Sequence, residues 1–147
     1  MTPSPTTLGL LFLVGALATT WDLRTRTLPD WLTLGALLAF LALAALQGNV
    51  LWGALGAVLP SGLLLLVALL AGGGLGGGDV KYLAAIGAAL GPRGGFVALL
   101  AASAIGALQG VVTAFRGKDA YPFGPALAAG SLVAPLLWPY VAPLLGR

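Results

Sequence analysis

The 147-residue sequence contains no cysteine, no histidine and no glutamate. These absences exclude thiol nucleophiles, disulfides, Ser-His-Asp triads and Cys/His metal sites together, and no metal or cofactor is expected. Charge is also scarce, at 7% of residues against about 25% in an average soluble domain. With 59% hydrophobic residues and a mean hydropathy of +1.03, the chain cannot cover a water-facing surface. It reads as an all-α polytopic membrane protein. At about 20 residues per span it has room for about six transmembrane helices and no sizeable extramembrane domain. Residues 1–147 form one transmembrane domain on this reading. Glycine (23) and proline (10) are frequent, as helical membrane proteins tolerate. The acid/base inventory is Asp22, Asp30, Asp79 and Asp119, Lys81 and Lys118, and Tyr82, Tyr121 and Tyr140.

Apolar runs place segments at about Thr7–Trp21, Trp31–Leu46, Val50–Ala71, Val80–Leu90, Gly95–Phe115 and Gly124–Leu145. The first lacks the basic start and small-residue cleavage site of a signal peptide, and stays a helix. The fourth makes only about 16 Å of helix, well short of a ~30 Å hydrocarbon core. Its Gly-rich flank must lengthen it, or it lies among other helices or re-enters. The sixth carries Pro125, Pro135, Pro139 and Pro143, which predicts a kink or break near its end. With six spans, Arg24, Arg26, Lys81, Arg116 and Lys118 share one side, and only Arg93 and Arg147 the other. The richer side is then cytoplasmic, with both termini outside and all four Asp at the cytoplasmic face; if the fourth segment does not span, Arg93 joins that face and the C-terminus moves inside, and Asp22 and Asp79 stay together in either case. The net charge of +3 is scattered over these positions. It marks topology, and no nucleic-acid partner is expected.

Two carboxylates stand out. Asp22 closes the first segment and Asp79 opens the fourth, after a run in which six of the seven residues 72–78 are glycine. Carboxylates in apolar helices are functional candidates by default. Two brought together cannot both ionise easily, so the pair holds one proton. That suits aspartic proteolysis, in which one Asp activates water and the other protonates the carbonyl or leaving amine. Glycines before Asp79 would let a substrate strand approach the backbone. Plainer readings compete at each position. Asp22, beside Arg24 and Arg26, is by itself an ordinary loop carboxylate. Asp30, after Pro29, reads as an N-cap, Lys81 as a snorkelling anchor, and Asp119 as a solvated loop residue. The glycine run alone is a flexible linker; no Gly-Lys-Ser/Thr follows it, so it is not a P-loop. Tyr82 shares a helical face with Asp79 and could hydrogen-bond it, but an interfacial aromatic belt is the simpler expectation. Ser61, Ser103 and Ser131 lie within spans without an evident Lys partner.

At these residues the chain resembles the type IV prepilin peptidases, among the Gly-x-Gly-Asp intramembrane aspartic proteases. The first motif is Asp22 with Arg24 or Arg26 and then Leu28-Pro29-Asp30. The second is Gly76-Gly77-Gly78-Asp79-Val80-Lys81. The third is Tyr121-Pro122-Phe123-Gly124-Pro125, before the last helix. The resemblance covers nearly the whole chain. It implies that Asp22 and Asp79 are catalytic. Gly76, Gly78, Lys81 and the Pro122, Phe123, Gly124 and Pro125 loop would support them or the substrate. It implies removal of short basic leaders from prepilins and related substrates of type IV pilus assembly and protein secretion, at the cytoplasmic face of the inner membrane. Bifunctional members add an N-terminal cytoplasmic domain with paired Cys and methylate the new N-terminus. This chain starts almost directly at its first helix without Cys, so it resembles the peptidase-only form and methylation is not carried over. The Pro-Ala-Leu at residues 125–127 is shared with presenilin-type proteases. Those have more spans, and a Tyr-Asp where this chain has Trp21-Asp22, so that likeness is secondary.

Two readings from other classes compete. A small proton-coupled transporter or ion-pathway subunit would also carry intramembrane Asp, but nearer the midplane and often at a repeat interface; no internal repeat is visible. A catalytically silent assembly subunit of a pilus or secretion machine is opposed only by the presence of both Asp.

Overall fold

Local residue chemistry sets the first helix boundaries. Ser4 caps α1 (Pro5–Thr25), its hydroxyl accepting the Thr7 amide hydrogen at 3.2 Å. Pro5 follows at the first helical position, where a missing N–H costs nothing. The helix closes at Arg26, which adopts φ 54° and donates its N–H to the Asp22 carbonyl at 2.8 Å. The computed structural model describes residues 3–70, 76–115, 123–141 and 143. Four more helices follow: α2 (Asp30–Leu46), α3 (Val50–Leu70), α4 (Gly77–Phe115) and α5 (Gly124–Val141). The described residues contain no strand.

The all-α membrane architecture is as expected, but the count of six spans is corrected. Among the described residues there are five helices, of which α1, α3, α4 and α5 are long and apolar enough to cross a membrane, while α2 has 17 residues. The difference lies at the fourth and fifth segments, which no loop separates. They run together as α4, broken only at Gly91 (φ 73°, ψ 176°) with Pro92 behind it. The arms on either side fold back on one another. A Cβ built on Gly95 would lie 3.1 Å from the Gly87 Cα, whereas eight residues of straight helix would separate them by about 12 Å. Trp52 of α3 fills the corner, and a side chain on Gly91 would run into its indole. In the last segment α5 continues through Pro135 and Pro139 to Val141, and the end of that segment, where a kink or break is expected, lies mostly outside the described residues.

Helix packing relies on small residues. Gly56 of α3 and Gly87 of α4 touch backbone to backbone, so a Cβ on either would collide with the other's carbonyl. Pro60, one turn after Gly56, has no N–H to occupy the Gly56 carbonyl. Gly130 of α5 similarly meets the backbone of Ala98 and Ala102. Such contacts hold helices together where lipid offers no hydrophobic contrast. Phe40, Tyr82, Leu83, Ile86 and Leu127 fill the interior, while Leu13, Leu59, Leu66 and Leu100 face outward. This distribution, polar atoms few and leucines outside, is that of a multi-pass membrane protein.

The bundle has two distinct ends. At one, Gln47 donates to the Ser4 hydroxyl at 3.1 Å, near Trp52 and the Gly91 corner. At the other, the C-terminal turn of α1 meets the N-termini of α2, α4 and α5.

Candidate active site

The second end gathers the motif residues. Asp22 lies in the last turn of α1 and is only 4% exposed. Its Oδ2 accepts the Gly124 N–H at 2.9 Å, in the first turn of α5. The first N–H groups of a helix have no intrahelical acceptor, and its dipole favours negative charge there. The carboxylate therefore satisfies α5 as well as being held by it. Glycine is required at 124, because a Cβ would sit 2.5 Å from Oδ2 and 3.0 Å from Cγ of Asp22. Phe123 accepts the Leu127 amide through its carbonyl at 3.1 Å and packs its ring on the core. Pro125 stands in the first turn, where proline needs no donor.

Asp79 occupies the first turn of α4, its N–H donating to the Gly76 carbonyl at 3.0 Å. Its Oδ2 lies 3.5 Å from where a Cβ on Gly76 would be. It is half-buried, and the Asp22 carboxylate is within electrostatic reach. Both aspartates thus stand at helix N-termini, one inside its helix and one across from another. Gly78 serves a different purpose. A Cβ there would press on Leu28, 3.0 Å from its Cβ and 3.1 Å from its carbonyl oxygen, so glycine lets the Leu28-Pro29 turn lie against α4.

Lys81 and Asp30 are corrected together. Pro29, not Asp30, is the N-cap of α2, and no side chain caps it. Asp30 is the first helical residue, and its Oδ1 accepts from Lys81 Nζ at 2.6 Å. Lys81 is therefore a tie between α4 and α2 rather than only an anchor. Tyr82 is corrected as well. It is fully buried instead of belonging to an interfacial belt, and its hydroxyl, lying against Gly15, has no hydrogen-bond partner among the described residues. The aromatic pair at this end is Trp21 with Trp31, edge to face at 5.6 Å. Pro122, Tyr121 and Asp119, with residues 72–75 of the glycine run, lie outside the described residues. No cluster among the described residues could hold a metal ion.

The structure thus joins parts of all three motifs: Asp22 to Gly124, Leu28 to Gly78, and Asp30 to Lys81. Sequence reasoning missed Gly15. Its signal was available: it precedes Asp22 by seven residues, two helical turns on one face.

Comparison with known proteins gives a family. The chain matches the model of the type IV leader peptidase family over residues 9–111. It is 40% identical over 120 residues to the prepilin leader peptidase/N-methyltransferase of Burkholderia pseudomallei (strains 1026b and K96243), covering 74% of this chain and 39% of each relative. It is 41% identical over 86 residues to the prepilin leader peptidase/N-methyltransferase of Bacillus subtilis (strain 168), covering 56% of this chain and 35% of that one. The chain thus spans well under half the length of these curated relatives. No solved structure matches it.

Proposed function

This chain belongs to the type IV leader peptidase family, and we propose that it acts as a membrane aspartic endopeptidase with Asp22 and Asp79 as the catalytic pair. Its substrates are prepilin-like proteins, cut at the junction of leader and mature chain. The work is done at the cytoplasmic face of the inner membrane, the side to which the loop cations assign both aspartates.

The observation that carries this reading is a buried Asp22, held by the Gly124 amide at 2.9 Å, at the same end of the bundle as Asp79 and within its electrostatic reach. The pair holds a single proton. The ionised member takes a proton from water as its oxygen attacks the peptide carbonyl carbon. The protonated member gives its proton to the carbonyl oxygen. Collapse of the tetrahedral intermediate breaks the C–N bond, and the amine leaves with the proton first taken from water. Helix N-termini at both carboxylates favour the single negative charge this cycle needs. The place of the pair, at helix ends rather than mid-bundle, supports proteolysis over a proton pathway.

The test is co-expression with a tagged prepilin-like substrate and mass spectrometry of the product's N-terminus. Wild type removes the leader. Asp22→Asn and Asp79→Asn, at matched membrane levels, lose cleavage by at least the 10²–10⁴-fold typical of a positioned acid or base. Full activity in either variant removes that residue from the mechanism.

A further inference from the structure

Among the described residues, every charged side chain but one stands at the motif end. Asp22, Arg24 and Arg26 close α1, Asp30 opens α2, and Asp79 and Lys81 open α4. The exception is Arg93, just past the Gly91 corner at the opposite end. It is exposed and forms no ion pair among the described residues. With Trp52 of α3 and Trp138 of α5 it lines a small cavity of about 50 Å³. A guanidinium and two indoles offer N–H donors and no acceptor. Such a lining suits an anion with several oxygens, and a phosphodiester matches the fork of an arginine.

A second cavity, of about 110 Å³, shares Pro3, Trp52 and Leu90 with the first, so the two adjoin. Its lining is of the opposite kind. Ala88 belongs to it, and Pro92 has no N–H to give the Ala88 carbonyl one turn back. Glycine at 53 leaves that oxygen uncovered, since a Cβ there would lie 3.3 Å from it. Gln47 and Asn49 line the same cavity, and their side-chain nitrogens donate inside the protein. One reaches the Ser4 hydroxyl at 3.1 Å and the other the Gln47 backbone carbonyl at 3.0 Å. Each amide then has its oxygen left to offer. These acceptors suit a donor, and a cationic one most of all.

We infer that the Gly91 corner binds the headgroup of a phospholipid carrying a primary ammonium, with its phosphate on Arg93 and its ammonium in the adjoining cavity. An ethanolamine phosphodiester brings both charges side by side, as the two cavities are. A choline headgroup has no N–H for the acceptors, and a glycerol headgroup brings the phosphate without a cation. The occupant is a lipid because the surroundings are apolar. Leu51 and Leu136, next to Trp52 and Pro135 in the chain, are both exposed, and tryptophans gather where headgroups meet acyl chains. A lipid held there ties α3, α4 and α5 together at the end away from the motifs. The inference goes beyond the peptidase reading and does not depend on it.

The test gives the purified, delipidated protein in detergent three lipids with the same acyl chains: phosphatidylethanolamine, phosphatidylcholine and phosphatidylglycerol. Native mass spectrometry counts the complexes. The ethanolamine lipid should bind at least about tenfold more tightly than the other two. Arg93→Gln should weaken it by at least about tenfold, Arg93→Lys by less, and Arg24→Gln at the motif end not at all. Without lipid, Arg93→Gln should melt at the wild-type temperature; adding the ethanolamine lipid should raise that temperature for wild type alone. Soluble phosphoethanolamine at the same concentration should not displace the lipid. Equal binding of the three lipids, preference for the choline or glycerol lipid, or unchanged binding by Arg93→Gln overturns the site. Displacement by soluble phosphoethanolamine overturns a lipid as its occupant.

Discussion

Asp22 does two jobs at once, and that makes Gly124 the most sensitive neighbour. Gly124→Ala should displace the carboxylate, since the new Cβ would lie 2.5 Å from Oδ2. A hydrogen bond to a charged group contributes about 1.5–3 kcal/mol. The cleavage rate should therefore fall about ten- to a hundredfold with KM little changed, measured on purified protein with a leader-containing substrate. The Lys81–Asp30 pair is the opposite case. Both side chains are well exposed, at 41% and 64%, so Asp30→Asn should cost less than about 1 kcal/mol by thermal unfolding in detergent. Tyr82→Phe keeps the packing and removes a buried hydroxyl that no described residue satisfies. Its melting temperature should hold or rise; a clear fall would reveal a partner for the hydroxyl. Much of this site was legible in the sequence, because Asp22, Asp79, Gly124 and Lys81 are polar or special residues in an apolar chain. What was not legible were pairings. Nothing local in Leu28-Pro29-Asp30 says that its Asp faces Lys81 rather than its own helix N-terminus. Nothing in Asp79-Val80-Lys81-Tyr82 says that the tyrosine turns inward to Gly15.

Among the elements, α1, α2 and α3 follow their apolar runs closely, since Ser4, Pro29 and the polar Gln47-Gly48-Asn49 stretch punctuate them. The hidden feature was the fold-back inside α4. Sequence parted the fourth and fifth segments at residues 91–94, but not that the corner there is a single glycine dihedral closed by Trp52, with no loop between the arms. Its stability depends on the small-residue seam with α3. Gly87→Ala and Gly56→Ala should each destabilise by about 1–3 kcal/mol, the usual cost of overpacking, read as a lower melting temperature in detergent. Gly62→Ala in the same α3 is the matched control. Its Cβ would meet nothing within 4 Å, and removing a mid-helix glycine should stabilise by roughly 0.5–1 kcal/mol.

For the molecule as a whole, the ends of the bundle sort cleanly: the motif residues at one, the Gly91 corner with Trp52 and Gln47 at the other. Cysteine labelling can assign their sides. Arg24→Cys should react only from the cytoplasm and Asn49→Cys only from outside, scored with an impermeant thiol reagent on intact and opened cells. The sidedness expected from few, unevenly placed cations is what that labelling tests; the helix count turned on α4, where one kinked helix stands for two expected segments. That same arm has a last consequence. From Gly77 to Leu90 it extends about 21 Å, against roughly 30 Å of hydrocarbon in an ordinary bilayer. The corner is fixed at one face by the α3 seam, so Asp79 cannot rise to meet a thicker membrane; the lipid must thin around it. Acyl-chain length then becomes a control on proteolysis. In vesicles of short-, medium- and long-chain phosphatidylcholine, cleavage should fall as the chains lengthen. The same protein would then be faster or slower according to the lipids its cell makes.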